Sequence, residues 1–102
     1  GGVVVDVGKV PGPTPREFLL EQNYPDPFNP ITVIGYQIGV NSFVTVGVYD
    51  LLGREVAMLV NNEENAGSHT VRWNATRYAS GVYYYRLQTG AFSDTKKLLL
   101  LK

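Results

Sequence analysis

A chain of 102 residues has room for one domain and one core, of a size that buries roughly 60–65% of the surface its unfolded form exposes, and a second domain is excluded. With 44% hydrophobic and only 18% charged residues it is too apolar to be disordered throughout, and nine basic side chains against nine acidic ones leave no field that would draw it to nucleic acid or an anionic membrane. The absence of cysteine excludes disulfide stapling, thiolate catalysis and cysteine-ligated zinc together, and no apolar run approaches the ~20 residues that span a bilayer, so membrane insertion is not expected.

In chain order, residues 1–7 (GGVVVDV) join β-branched residues to a glycine start and predict a short N-terminal strand. They have no charged n-region, and Lys9 and prolines follow at once, so this stretch is not expected to be a signal peptide. If the protein is exported, the chain is expected to be a mature product or an excised domain. Residues 8–17 (GKVPGPTPRE) predict a Pro/Gly-rich linker, whose polyproline geometry gives a reach of roughly 30 Å. Val3, Val4, Val5 and Val7 could therefore pair with the far side of their own domain or be donated to a neighbouring molecule.

Residues 23–30, Asn-Tyr-Pro-Asp-Pro-Phe-Asn-Pro, carry three prolines that remove three backbone donors and hold each preceding residue out of the helical region. They predict a stiff extended corner, with Tyr24 and Phe28 as aromatic anchors onto a β core.

On either side of that corner the periodicity is that of a sandwich. Residues 18–22 alternate, with Phe18 and Leu20 on one side. In residues 31–38, Ile34, Tyr36 and Ile38 share a face with Thr32, and in residues 43–50, Val44, Val46 and Val48 point inward while Thr45, Gly47 and Tyr49 point outward. Asp50-Leu51-Leu52-Gly53-Arg54 predicts a turn, with Gly53 left-handed and the Asp50 carboxylate accepting turn amides. Residues 54–60 return as a strand carrying Val56, Met58 and Val60, and residues 61–67 read as a polar loop. Next, His69, Val71 and Trp73 share a face, which makes Trp73 the expected largest core side chain. Residues 82–89 and 91–102 then predict a hairpin around Thr89-Gly90. No segment has a sustained helical period. The expected fold is all-β, an immunoglobulin-like sandwich of about seven antiparallel strands over residues 18–102, with an extra strand on the tether of residues 1–17.

The residues that carry chemistry do not assemble in sequence. Ser68 and His69 are neighbours in a strand and face opposite ways, so they form no nucleophile–base pair, and no carboxylate is placed by sequence to orient His69. Asp50, Glu63, Glu64 and Asp94 match no calcium-loop spacing. No enzyme, metal or cofactor is expected. Of Tyr83-Tyr84-Tyr85, Tyr83 and Tyr85 join Leu87 on one face, and Tyr84 is left outside, to pack on Arg86 or Lys97 or, less favoured, to stack on a sugar. Asn74-Ala75-Thr76 fits the glycosylation pattern, with nothing arguing for a pathway that would use it. Leu98–Leu101 would leave two leucines exposed on a strand with one wet face, so either the strand is covered by its own N-terminal segment or it docks on another protein.

Four ordered motifs carry a resemblance: Asn23 to Pro30, then Val48-Tyr49-Asp50-Leu51-Leu52-Gly53-Arg54-Glu55-Val56, then Ala79-Ser80-Gly81-Val82-Tyr83-Tyr84-Tyr85-Arg86-Leu87, and the ending Lys96-Lys97-Leu98-Leu99-Leu100-Leu101-Lys102. Over residues 18–102 the chain resembles the C-terminal sorting domain of the bacterial type IX secretion system, which is similar to the Ig-like domain of the flagellar hook-capping protein. The resemblance implies a non-catalytic module at the C-terminus of exported proteins, secreted or held at the cell surface, read by the outer-membrane translocon and often removed as cargo is attached. It implies recognition through Gly81, Val82 and Tyr83 and through Lys97, Leu98, Leu99, Leu100, Leu101 and Lys102. The chain departs from the family pattern at Ile31, where a polar or small residue is usual, and at Arg77-Tyr78, where Gly-Leu is usual. The rival expectation is an extracellular filament or surface-layer subunit, joined by donation of the Val-rich strand to the next copy. A carbohydrate-binding module is a weaker one.

Overall fold

A computed structural model of the chain describes residues 17–102. They form β1 (Leu19–Leu20), β2 (Ile31–Ile38), β3 (Ser42–Tyr49), β4 (Glu55–Glu64), β5 (Gly67–Asn74), β6 (Gly81–Gln88) and β7 (Ser93–Leu100). The strand and linker expected in residues 1–16, Val3, Val4, Val5 and Val7 included, lie outside the described residues. One sheet runs β1-β2-β5 and the other β4-β3-β6-β7, with every strand pair antiparallel. This is the strand order of an immunoglobulin-like sandwich, in which the β2–β3, β4–β5 and β5–β6 connections cross between sheets and the core forms between the inner faces.

The period-2 pattern is what fills that core. Thr32, Ile34, Tyr36 and Ile38 of β2 face Val44, Val46 and Val48 of β3 and Tyr83, Tyr85 and Leu87 of β6, and all are buried. Trp73 is buried against Phe28, Tyr78 and Tyr83, with ring centroids 5.7, 5.3 and 5.5 Å away. Gly47 lies on the outer face yet is buried, because the Tyr49 ring folds back over it and the Arg86 guanidinium stacks on that ring at 4.7 Å.

Three local expectations are corrected. Tyr24 is no side-chain anchor: it is 79% exposed and holds the corner through its backbone, which exchanges hydrogen bonds with Val33 in continuation of the β1–β2 ladder. Buried Asn23 is the polar anchor instead, since its amide donates to the Pro25 carbonyl and the Thr32 hydroxyl. Residues 61–64 are not a loop but the end of β4, paired with residues 42–45 of β3, so that only Asn65 and Ala66 remain for the passage to β5 in the other sheet. Polar side chains hid this extension, because an edge strand with a wet face needs no apolar alternation. Finally, Val56, Met58 and Val60 do not form one inward row. The β3–β4 register shifts twice, skipping Leu59 and Val56, and each bulge reverses the facing of the residues beyond it, which leaves Met58 39% exposed.

Candidate functional site

The two groups of residues singled out for recognition lie 14 or more positions apart in sequence and are brought together by the β6–β7 ladder. Gly81 pairs with Leu100, Val82 with Leu99 and Tyr83 with Leu98. Tyr83, Leu98 and Leu100 point into the core and are buried, while Val82 and Leu99 are half-covered on the outer face. Leu101 is 50% exposed just beyond the strand. Lys102 is held as well: its N–H donates to Ser80 Oγ at 2.9 Å and its ammonium to the Thr76 carbonyl. Gly81 opens β6 at φ 152°, where a side chain would be strained although no atom would block it.

The proline corner builds the other side of this end. β7 is an edge strand, and near its end four of the backbone groups it would leave open are taken up. Gln22 Nε2 donates to the Lys97 carbonyl at 2.8 Å, and Asp26 Oδ1 accepts the Leu99 N–H at 3.1 Å. The Phe28 N–H donates to the Leu99 carbonyl, and the Leu101 N–H to the Phe28 carbonyl, both at 3.0 Å. Phe28 thus forms a parallel bridge with Leu100 while its ring is buried beside Trp73. A cleft of about 190 Å³ remains between the corner and the outer face, lined by Asp26, Pro27, Val82, Lys97, Leu98 and Leu99.

Against the start of β6 stands the β3–β4 turn. The Asp50 carboxylate accepts the N–H groups of Leu52 (2.9 Å) and Arg54 (3.0 Å) and the Arg54 Nε–H (2.9 Å), and Gly53 adopts φ 82° as the motif requires. Above all the Arg54 backbone amide holds the Asp50 carboxyl below its ordinary range. So braced, the turn presents Leu51 and Leu52 at 66% and 77% exposure, beside a cleft of about 240 Å³ that reaches Ser80, Gly81, Val82 and Tyr83. Leu51, Leu52, Gln22 and Asp26 were not among the residues expected at the site. Two leucines ahead of a turn glycine were a visible signal for exposure; the pairing of Gln22 and Asp26 with β7 spans 75 and 73 positions and had none.

His69 has more company than its sequence neighbours suggest. Glu64 lies 3.7 Å from its Nδ1, its ring stacks on Tyr36 at 5.4 Å, and the Tyr36 hydroxyl donates to the same Glu64 carboxylate. The Ser68 side chain is on the opposite face of the strand, so no nucleophile joins the group. Tyr84 sits between Tyr49 and Lys97 in the ladder, as ordinary cross-strand packing. Among the described residues, no three His, Cys, Asp or Glu side chains gather so as to hold a metal ion.

The buried phenols make a testable pH dependence. Burial, reinforced by Glu64, pushes Tyr36 far above its ordinary value of 10, and burial pushes Tyr85, whose hydroxyl donates to the Glu21 carbonyl at 2.6 Å, up to about 12. Because the folded values are raised, the unfolded chain releases these protons first, and stability present below pH 10 falls as pH rises through about 12. The urea midpoint is expected to decline over that window, and to decline less steeply in Tyr85→Phe.

Two strand termini, a braced leucine turn and a proline corner thus meet at one end of what is, by fold, a β-sandwich module. The chain belongs to the secretion system C-terminal sorting domain family, whose profile matches residues 22–101. It is also similar to a solved structure of PorZ, described as an essential bacterial surface component of the type-IX secretion system of Porphyromonas gingivalis. The TM-score is 0.57 at 22% identity, a likeness of fold alone, over 83% of this chain and 11% of that one. The chain therefore spans about a tenth of the length of that protein. A search of the curated proteins finds no match. Membership places the chain among bacterial proteins exported by type IX secretion to the cell surface or the medium, where such domains meet the secretion machinery; the family is in general non-catalytic.

Proposed function

We propose that residues 18–102 act as a non-catalytic sorting and surface-attachment module, carried outward with whatever precedes residues 1–17 and read by the secretion machinery at the end where β6 begins and β7 finishes. The observation that carries this reading is the ladder itself: Gly81, Val82 and Tyr83 face Leu100, Leu99 and Leu98 directly, so two separate stretches become one surface. The likeness to the Ig-like domain of the flagellar hook-capping protein belongs to this proposal, and a seven-strand, two-sheet order is compatible with it.

Within that surface the residues divide by burial. Leu98, Leu100 and Tyr83 fix the shape from inside, while Lys97, Leu99, Leu101 and Lys102, with Val82, are available to a partner. Deleting residues 97–102 would therefore remove two core leucines and confuse misfolding with lost recognition. The sharper test substitutes only outward groups, Leu101→Asp with Lys102→Glu, in a reporter fused ahead of this module in a bacterium with type IX secretion. Export is expected to fall at least tenfold while the melting temperature of the purified module stays within a few degrees, since surface changes of this kind shift stability by about 0.5 kcal/mol. Full export from a folded variant would remove the C-terminal end from the recognition surface.

A further inference from the structure

Each sandwich edge but one is protected. β1 is two residues long, β7 is covered by the proline corner over residues 97–101 and bears Asp94, Lys96 and Lys97, and β4 is twice bulged and bears Glu55, Glu63 and Glu64. β5 has none of these devices: its register with β2 runs unbroken over eight pairs, it holds no proline, and Arg72 is its one Lys, Arg, Asp or Glu. The Ala75 N–H bonded to the Pro30 carbonyl fixes the parity of the ladder, which turns the N–H and C=O groups of Ser68, Thr70 and Arg72 away from β2. No described strand pairs with them. The apolar layer is open on the same side, where Val71 of β5 and Val56, Ala57, Leu59 and Val60 of β4 are only partly covered.

We infer that the free edge of β5 is the acceptor for residues 3–7 of the same chain, added antiparallel as a fourth strand of the smaller sheet. Length and position both favour this occupant. Sixteen residues precede the described chain, and that chain starts beside the N-terminal end of β5, since Leu19 pairs with Gln37 and Gln37 with Ser68. An added strand antiparallel to β5 ends at that same level, so the linker must cross three strand spacings, about 14 Å, with a reach of roughly 30 Å. The tether makes the pairing intramolecular and so favours it over the edge of a separate molecule.

The side chains fix the parity of the register. With Val3, Val5 and Val7 opposite Trp73, Val71 and His69, all three valines enter the uncovered apolar layer. Val4 and Asp6 then face solvent opposite Arg72 and Thr70. That sets the one acidic residue of the segment diagonal to the one cationic residue of β5 and makes the Val4 and Asp6 backbones the ladder partners of Arg72 and Thr70.

Amide hydrogen exchange on the full chain, with sizing of the same samples, tests this. In a dilute monomer the Thr70 and Arg72 amides are expected to be protected. Val4→Pro, which removes a ladder donor without touching the described sandwich, is expected to speed their exchange at least tenfold while the Val71 amide, bonded toward β2, is unchanged. Reversing both charges, Asp6→Arg with Arg72→Asp, is expected to keep the protection that Arg72→Asp alone weakens. Unprotected Thr70 and Arg72 in the full chain, or protection that survives Val4→Pro, would overturn the assignment. Protection that appears only with concentration, alongside dimers or filaments, would give the edge to a second copy instead.

Discussion

Trp73→Ala is expected to lower stability by about 4 kcal/mol, enough to reduce the melting temperature of a domain this size by roughly 15–30 °C. The ring is buried and touches Phe28 from the proline corner, Tyr78 from the β5–β6 connection and Tyr83 from β6, so it joins pieces that the ladders hold only separately. Truncation leaves a cavity walled by three aromatic rings, each tethered elsewhere and little able to collapse inward. Tyr78 donates its hydroxyl to the Val56 carbonyl and Tyr83 to the Ala79 carbonyl, bonds that keep those rings in place. Calorimetry on the two proteins decides the matter, and a fall of only a few degrees would show that the cluster relaxes around the loss.

Phe28→Ala is expected to cost about 3–4 kcal/mol, but with a local signature that Trp73→Ala lacks. Phe28 seals the edge of β7 with its two backbone bonds to Leu99 and Leu101 and holds that seal in place by burying its ring. Without the ring, the corner has only polar contacts to keep it on the strand. The Leu99 and Leu101 amides are then expected to exchange faster by a larger factor than those of the β2–β5 ladder, and the exposed edge to promote association at high concentration. Equal acceleration across both sheets would show that the corner is not a separate latch. Because the Phe28 and Trp73 rings are in contact, the double variant is expected to lose less than the sum of the two.

Burial explains why some of the site was legible in sequence and some was not. Val44, Val46 and Val48 alternate with Thr45 and Gly47, and Arg86 and Gln88 mark the outward phase of β6 around Leu87, so a strand with one wet face can satisfy each pattern in only one way. The Asp50–Gly53 turn was legible because its bonds are local. The leucine run was ambiguous for the opposite reason. Residues 98–101 contain no polar phase marker, and their cover, Phe28 and Asp26, lies some seventy positions earlier.

Sequence alone determined the all-β class, the inward faces of β2, β3, β5 and β6, the turn chemistry and, through four ordered motifs, the family, since each rests on residue spacing or local backbone preference. Tertiary structure decided which strands are edges, that the proline corner covers the end of β7, that residues 61–64 extend β4, and that β5 alone among the described edge strands is neither short, bulged nor covered. Those features depend on which backbone groups find distant partners, and a hydrogen bond across seventy residues leaves no period in the chain that makes it.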